Sequence, residues 1–293
     1  MKNILSLGAG VQSTCLLYMS CDGVLPPLDA CIFADTQWEP EAVYAHLERC
    51  KERAAKAGVR VLVGTAGNLR ESIVLSLGRG ATGKAQGMIP TFLKNPDGSR
   101  GFLRRQCTGT YKIEVVERIV RREILGLRDG QRWPLVPSVR QWIGISADEF
   151  HRRKVSPRPA VELVYPLLDW LTIGDPDRPM FMRGYARADC LAWLKKAGYP
   201  RPPRSACVGC PFHSDEEWAR MKQDDPKAFA DACEVDRLIR DFDTARLGEK
   251  GQLRGSPYLH SSLIPLEQVA FDPALDESEG RGMANECEGM CGL

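Results

Sequence analysis

No apolar run in the 293-residue sequence approaches the roughly 18 residues that a membrane-spanning helix needs. Net charge is almost absent as well. Forty Lys and Arg against 38 Asp and Glu leave +2, which excludes a polybasic protein held on nucleic acid by bulk charge. The opening residues, Met1 to Gly8, lack the long apolar stretch and small-residue cleavage site of a signal peptide, and read as a first strand. There is no internal repeat and no low-complexity tract. What remains is the composition of an ordinary globular protein, long enough for one large domain with a smaller appendage, and expected in the cytoplasm.

Cysteine is not scarce. An odd total of eleven cannot all pair within one chain, and a reduced compartment disfavours a disulfide framework. Cys15, Cys21, Cys31, Cys50, Cys190 and Cys233 sit singly in apolar-periodic stretches and read as small core residues. Cys107, Cys207, Cys210, Cys287 and Cys291 sit in Gly-, Pro- or polar-rich contexts, where chemistry is the better expectation.

Strand and helix signals alternate through the first 70 residues. Ile4–Leu7, Leu28–Phe33 and Val59–Val63 read as strands, and the segments between them have helical spacing. That order argues for right-handed crossovers and a parallel α/β sheet with helices on both faces. Residues 78–110 are rich in Gly, Arg and Lys with weak periodicity, the pattern of a functional or unstructured stretch. Lys112–Leu127 reads as a helix, Gln141–Ile145 as a strand, Arg187–Ala197 as a short helix and 215–247 as charged and helical. A boundary near residue 175 divides a nucleotide-binding domain, 1–175, from a smaller helical region, 176–293, with an acidic tail.

The segment Ser6-Leu7-Gly8-Ala9-Gly10-Val11-Gln12-Ser13 joins the first strand to the first helix. Small residues let the backbone approach a ligand, and amides at a helix N-terminus favour phosphate. The segment fits neither the Walker pattern nor the dinucleotide fingerprint, since no third Gly stands at position 13 and no Lys-Ser pair follows. An unliganded tight turn is the plain alternative. Asp35, at the end of the second strand, has a plain alternative too, as the N-cap of the following helix. His46 and His151 read as solvated helix residues, His260 as a turn residue, and Arg118, Arg121 and Arg122 as a solvated helix face.

Five segments in order resemble the PAPS reductase-like family of PP-loop ATP pyrophosphatases. They are Ser6–Ser13, Ile32–Thr36, Leu103–Lys112, Ile143–Ser146 with Asp148-Glu149 and Arg152-Arg153-Lys154, and Ser205–Ser214 followed by Trp218; the likeness covers most of the chain from residue 3 to about 220. The resemblance implies an adenine nucleotide, ATP or a relative, on Ser6, Gly8, Ala9, Gly10, Gln12, Ser13, Asp35 and Gly144, with Mg2+ as an optional companion. It places Arg104 and Arg105 on the anionic substrate and gives Lys112 a catalytic role. Gln106 stands where the family's Cys-Cys-x-x-x-Lys segment has its first Cys. Cys107, Cys207 and Cys210 are then expected to ligate a [4Fe–4S] cluster with one iron left open, against zinc or no metal as alternatives. Cys287 and Cys291 in the tail are candidates to carry sulfur, to supply a fourth ligand, or to do neither.

The expected activity is an ATP-dependent activation of an acceptor for sulfur transfer. A sulfonucleotide reductase releasing sulfite from APS or PAPS is the alternative, and a nucleotide-binding redox sensor a third reading. The expected partners are the nucleotide and a sulfur donor or thiol reductant, within a homo-oligomer and away from membranes. A nucleic-acid acceptor stays open.

Overall fold

The computed structural model describes residues 1–78, 89–103, 106–171, 184–245 and 255–272. The chain begins with β1 (Lys2–Ser6), α1 (Val11–Cys21), β2 (Ala30–Asp35), α2 (Glu41–Lys56), β3 (Arg60–Thr65) and α3 (Leu69–Gly78). Two short strands follow, β4 (Phe92–Lys94) and β5 (Arg100–Phe102), then a helical stretch whose middle turns are α4 (Glu114–Ile119). Next come β6 (Val139–Trp142), β7 (Val161–Val164), the single turn α5 (Pro166–Asp169) and α6 (Arg187–Lys196). The last elements are α7 (Asp215–Asp224), α8 (Pro226–Ala245) and β8 (Ser256–Tyr258).

The main sheet has five strands in the order β3-β2-β1-β6-β7, every pair parallel. Its alternation is visible in the packing. Leu5, Cys31 and Phe33 meet α1, α2 and α6 on one face. Ile4, Ala30, Ile32 and Ala34 meet Val115, Val116 and Ile119 of α4 on the other. Period-2 side chains covered on both faces are what a parallel sheet requires. Gly64 of β3 admits α4 closely, since a Cβ there would collide with the Ile119 and Val115 side chains.

The strand order reverses between β1 and β6. The chain first builds outward through β2 and β3, then returns to the far side of β1. At such a switch point the crevice beyond the carboxyl ends of the strands is open for a ligand. The loops after β1 and β6 both lie there.

A second core joins Trp38, Leu69, Ile73 and Tyr111 to Cys207, Trp218, Phe229, Val235 and Leu259. The antiparallel sheet β5-β4-β8 carries the stretch before Lys112 alongside the region after α8. The stretch 78–110, expected to be functional or unstructured, contains two strands among its described residues, and neither β7 nor α3 was expected. The expected single helical span 215–247 is two helices, broken at Asp225-Pro226 because proline cannot donate to the preceding turn. Among the described residues no helix is long and apolar enough to cross a membrane.

Candidate functional site: two clefts sharing Lys112

The loop after β1 is held by short-range geometry. The Leu7 amide donates to Ile32 O at 2.9 Å, and the Gly8 amide donates to Ser13 Oγ at 3.2 Å. Ala9 turns the chain through the left-handed region with φ of 58°, a conformation that disfavours larger or branched side chains. Gly10 then opens α1 in an extended conformation, with no side-chain cap and no acidic residue in the first turn. Residues 6–14 are all buried. A helix N-terminus presents amides that lack intrahelical acceptors. With no capping side chain, this one suits an anion.

Gln12 ties the two sides of the switch point together. Its Nε2 donates to Ser146 Oγ and Glu149 Oε2, both at 3.3 Å, and its Oε1 accepts from Arg187 at 3.4 Å. Glu149 is paired in turn with Arg152. Gln141 on β6 donates to Ser6 Oγ on β1 at 2.8 Å. The side chains of Ser6, Gln12 and Ser13 are thus engaged in positioning the loop, and Gly144 lies buried in the facing turn. Glu149 and Arg187 complete this network. The first stood inside a quoted motif, and the second carried no signal in its own helix.

Asp35 accepts from the Gln37 amide at 2.7 Å and from the Tyr44 hydroxyl at 2.9 Å. It closes a turn in which Gln37 has φ of 55°, while Pro40 occupies the N-cap position of α2. The helix-cap alternative for Asp35 is therefore corrected to a turn and a clamp on Tyr44. Burial, followed by the bond to Asp35, pushes the Tyr44 hydroxyl upward from its ordinary pKa.

One cleft is lined by Ser6, Leu7, Gly8, Glu39, Lys112 and Ser205, among others. A neighbouring, apolar cleft is lined by Cys107, Cys207, Cys210, Trp38, Phe212 and again Lys112. Lys112 is only 4% exposed and sits on a π-helical turn, Thr108–Ile113, an irregularity common at functional sites. The three cysteines, from two segments 100 residues apart in sequence, do line one cleft.

Glu39 is the residue that the sequence reading missed. It is 7% exposed and lines the loop cleft. Its Oε1 accepts from Thr36 at 2.9 Å and from the Cys207 thiol at 3.3 Å. Oε2 is buried without a hydrogen-bond partner among the described residues. A Glu immediately before Pro40 gave no pattern to read; only the fold brings it to Cys207.

The Cys207–Cys210 turn is pinned on several sides. The Val208 amide donates to Trp38 O at 2.8 Å, and the Cys210 amide to Cys207 O at 3.0 Å. His213 Nε2 donates to Cys207 O at 3.0 Å. Burial would raise the Glu217 pKa, but the nearby His213, 3.6 Å away, and the paired Arg204 hold it at about 2. Gly209 packs against the Trp38 ring, and a Cβ there would collide with Cη2 and crowd Cζ3 and Cζ2 at 2.9 and 3.0 Å. Gly209→Ala is expected to destabilise the protein by about 2 kcal/mol through overpacking, read by urea unfolding. An unchanged midpoint would show that Trp38 yields freely.

For a cluster, the donors fit in kind and not in arrangement. Three thiols share a cleft, yet among the described residues no three Cys, His, Asp or Glu side chains form a group that could hold a metal ion. The Cys207 thiol is instead hydrogen-bonded to protein groups. Arg104, Arg105, Cys287 and Cys291 lie outside the described residues.

Three histidine expectations resolve differently. His46 is corrected: it is fully buried against Thr14 and Cys50, because it falls on the same stripe of α2 as Val43, Leu47 and Cys50. His151 is exposed as expected. His260 bonds Ser262 within its own turn, and reaches Asp215 at 2.9 Å.

No family model matches the sequence, and no curated protein does. Among solved structures, the chain is similar to a PAPS reductase. The solved structure is a phosphoadenylyl-sulfate (PAPS) reductase from Candida auris, in a phosphate complex. It is 13% identical, with a TM-score of 0.38, and the match covers 69% of this chain and 75% of that one. At that distance the activity has to be argued from the site.

Proposed function

We propose that the protein binds ATP or a related adenine nucleotide beyond the carboxyl ends of β1 and β6, and activates an acceptor for sulfur transfer. The observation that carries this reading is the uncapped, buried N-terminus of α1 at the switch point of the sheet. Ala9 and Gly10 bring backbone to the anion, while Ser6, Gln12 and Ser13 hold the loop in shape. Lys112 supplies a buried cation between the phosphates and the thiols, a position in which a charge acts strongly because water is excluded. Arg104 and Arg105 are assigned to the anionic substrate, and Mg2+ to the phosphates. A protein with a nucleotide cleft adjoining a thiol cleft has the parts for joining nucleotide and sulfur chemistry.

The rival reading, a sulfonucleotide reductase that releases sulfite, is favoured by the same convergence of thiols. In that chemistry a tail thiol, Cys287 or Cys291, attacks the sulfonate sulfur. A [4Fe–4S] cluster on Cys107, Cys207 and Cys210 is a separate proposal, resting only on their shared cleft, and no step here depends on it. A regulatory module would bind nucleotide without turning it over.

Anaerobically purified protein incubated with ATP, APS and PAPS separates these readings. Pyrophosphate from ATP, lost in Lys112→Met, is the expected result. Sulfite from APS or PAPS transfers the assignment to the reductase, and binding without any product leaves the sensor.

A further inference from the structure

The buried carboxylate beside Cys207 has no part in nucleotide binding as described above, and a cluster ligand needs no such neighbour. Cys207 is 8% exposed, whereas Cys210, three residues on and lining the same cleft, is partly exposed. The two are held across a single turn by the bond from the Cys210 amide to Cys207 O. Cys-x-x-Cys spacing suits two-electron thiol exchange, in which one accessible thiol attacks and a second resolves. The resolving thiol has to lose its proton inside the protein. Glu39 is placed to take it: the Cys207 thiol already donates to Oε1 at 3.3 Å, and Thr36 fixes the same oxygen at 2.9 Å. A nucleophile, a base within reach and a third group orienting the base form the arrangement expected of an activated nucleophile.

We infer that Cys207 and Cys210 form a redox-active dithiol, with Glu39 as the proton acceptor of the resolving thiol, acting on a disulfide substrate. Cys210, as thiolate, attacks one sulfur of the substrate disulfide. The substrate S–S bond breaks, and the first thiol leaves with the proton that Cys210 gave up. Cys207 then passes its proton to Glu39 and attacks Cys210 Sγ, and the mixed disulfide breaks. The second thiol leaves and takes the proton from Glu39. Two protein thiols are oxidised to one disulfide, and one substrate disulfide is reduced to two thiols. The assignment accounts for what a metal site leaves unexplained, namely the hydrogen bond that the Cys207 thiol donates to Glu39, since a metal-bound thiolate has no proton to donate. It stands independently of the nucleotide reading.

The test uses the full-length chain, purified anaerobically, assayed for iron and zinc, and equilibrated in glutathione buffers of graded oxidation. Thiols are trapped by alkylation and mapped by peptide mass spectrometry. The expected result is metal-free protein with a Cys207–Cys210 disulfide that forms and reverses across the series, and that persists in Cys287→Ser/Cys291→Ser. In Glu39→Gln the end point is kept. Closure slows by at least about tenfold, and glutathione accumulates on Cys210. Unlinked Cys207 and Cys210 throughout, or a link from Cys107 instead, overturns the pair. Stoichiometric iron that protects the thiols overturns it in favour of the cluster. Unchanged closure in Glu39→Gln removes Glu39 from the mechanism.

Discussion

Gly10→Val is expected to weaken adenine-nucleotide binding about a hundredfold or more and to leave the protein folded. Gly10 has φ of −92° and ψ of −173°, an extended conformation that a β-branched residue adopts without strain. The substitution therefore spares the backbone and acts on the space in front of the first turn of α1. A phosphate held there by main-chain amides needs that space empty. An affinity loss of about a hundredfold or more, near 2.7 kcal/mol, is expected by calorimetry with ATP. A thermal midpoint close to that of the unsubstituted protein shows that the fold survives. ATP affinity unchanged in Gly10→Val removes the loop as a phosphate site, whatever the thiols do.

How far the sequence could be read depended on where the cause of each feature lies. The parallel sheet was legible because its causes are local: Ile4–Leu7 and Leu28–Phe33 are short apolar runs separated by helical spacing, and the structure puts β1 and β2 side by side. The loop at Gly8–Gly10 was legible for the same reason. Element ends shifted by a few residues, as at β6, because strand ends are decided by neighbouring strands. β4, β5 and β8 were missed since three-residue strands carry no periodicity, and their sheet joins segments more than 150 residues apart. The convergence of Cys107 with Cys207 and Cys210 was anticipated from spacing and resemblance together. Glu39 was not, because its meaning comes from contact with Cys207, 168 positions away. His46 could have been placed correctly. The stripe Val43, Leu47, Cys50 and Ala54 runs through it, and a histidine on an apolar stripe is inward-facing before it is anything else.

That buried histidine makes stability fall with acid. The His46 pKa is lowered from 6.5 to about 4, chiefly by burial and further by the positive charge of Arg49. The geometry gives the reason. Nε2 lies 2.9 Å from Thr14 Oγ1 and 3.5 Å from Cys50 Sγ, while Nδ1 is buried without a hydrogen-bond partner among the described residues. Protonation would create a charge with one N–H facing no acceptor. Above pH 6.5 both the folded and unfolded chains carry neutral imidazole, and stability is unaffected. Between pH 6.5 and about 4 the unfolded chain takes up a proton that the folded chain refuses, so unfolding becomes easier as pH falls. The loss from this one group is about 2 kcal/mol by pH 5 and about 3 kcal/mol well below pH 4. Because Thr14 sits in the first turn of α1, acid strikes the helix that presents the anion loop. Urea unfolding of the unsubstituted protein and of His46→Gln at pH 7.5, 6 and 5 isolates the contribution as the difference in their slopes. The variant is expected to start less stable at pH 7.5 and to lose about 2 kcal/mol less on the way to pH 5. Parallel pH profiles for the two proteins would mean that His46 takes up its proton in the folded state, with α2 moving aside to admit it.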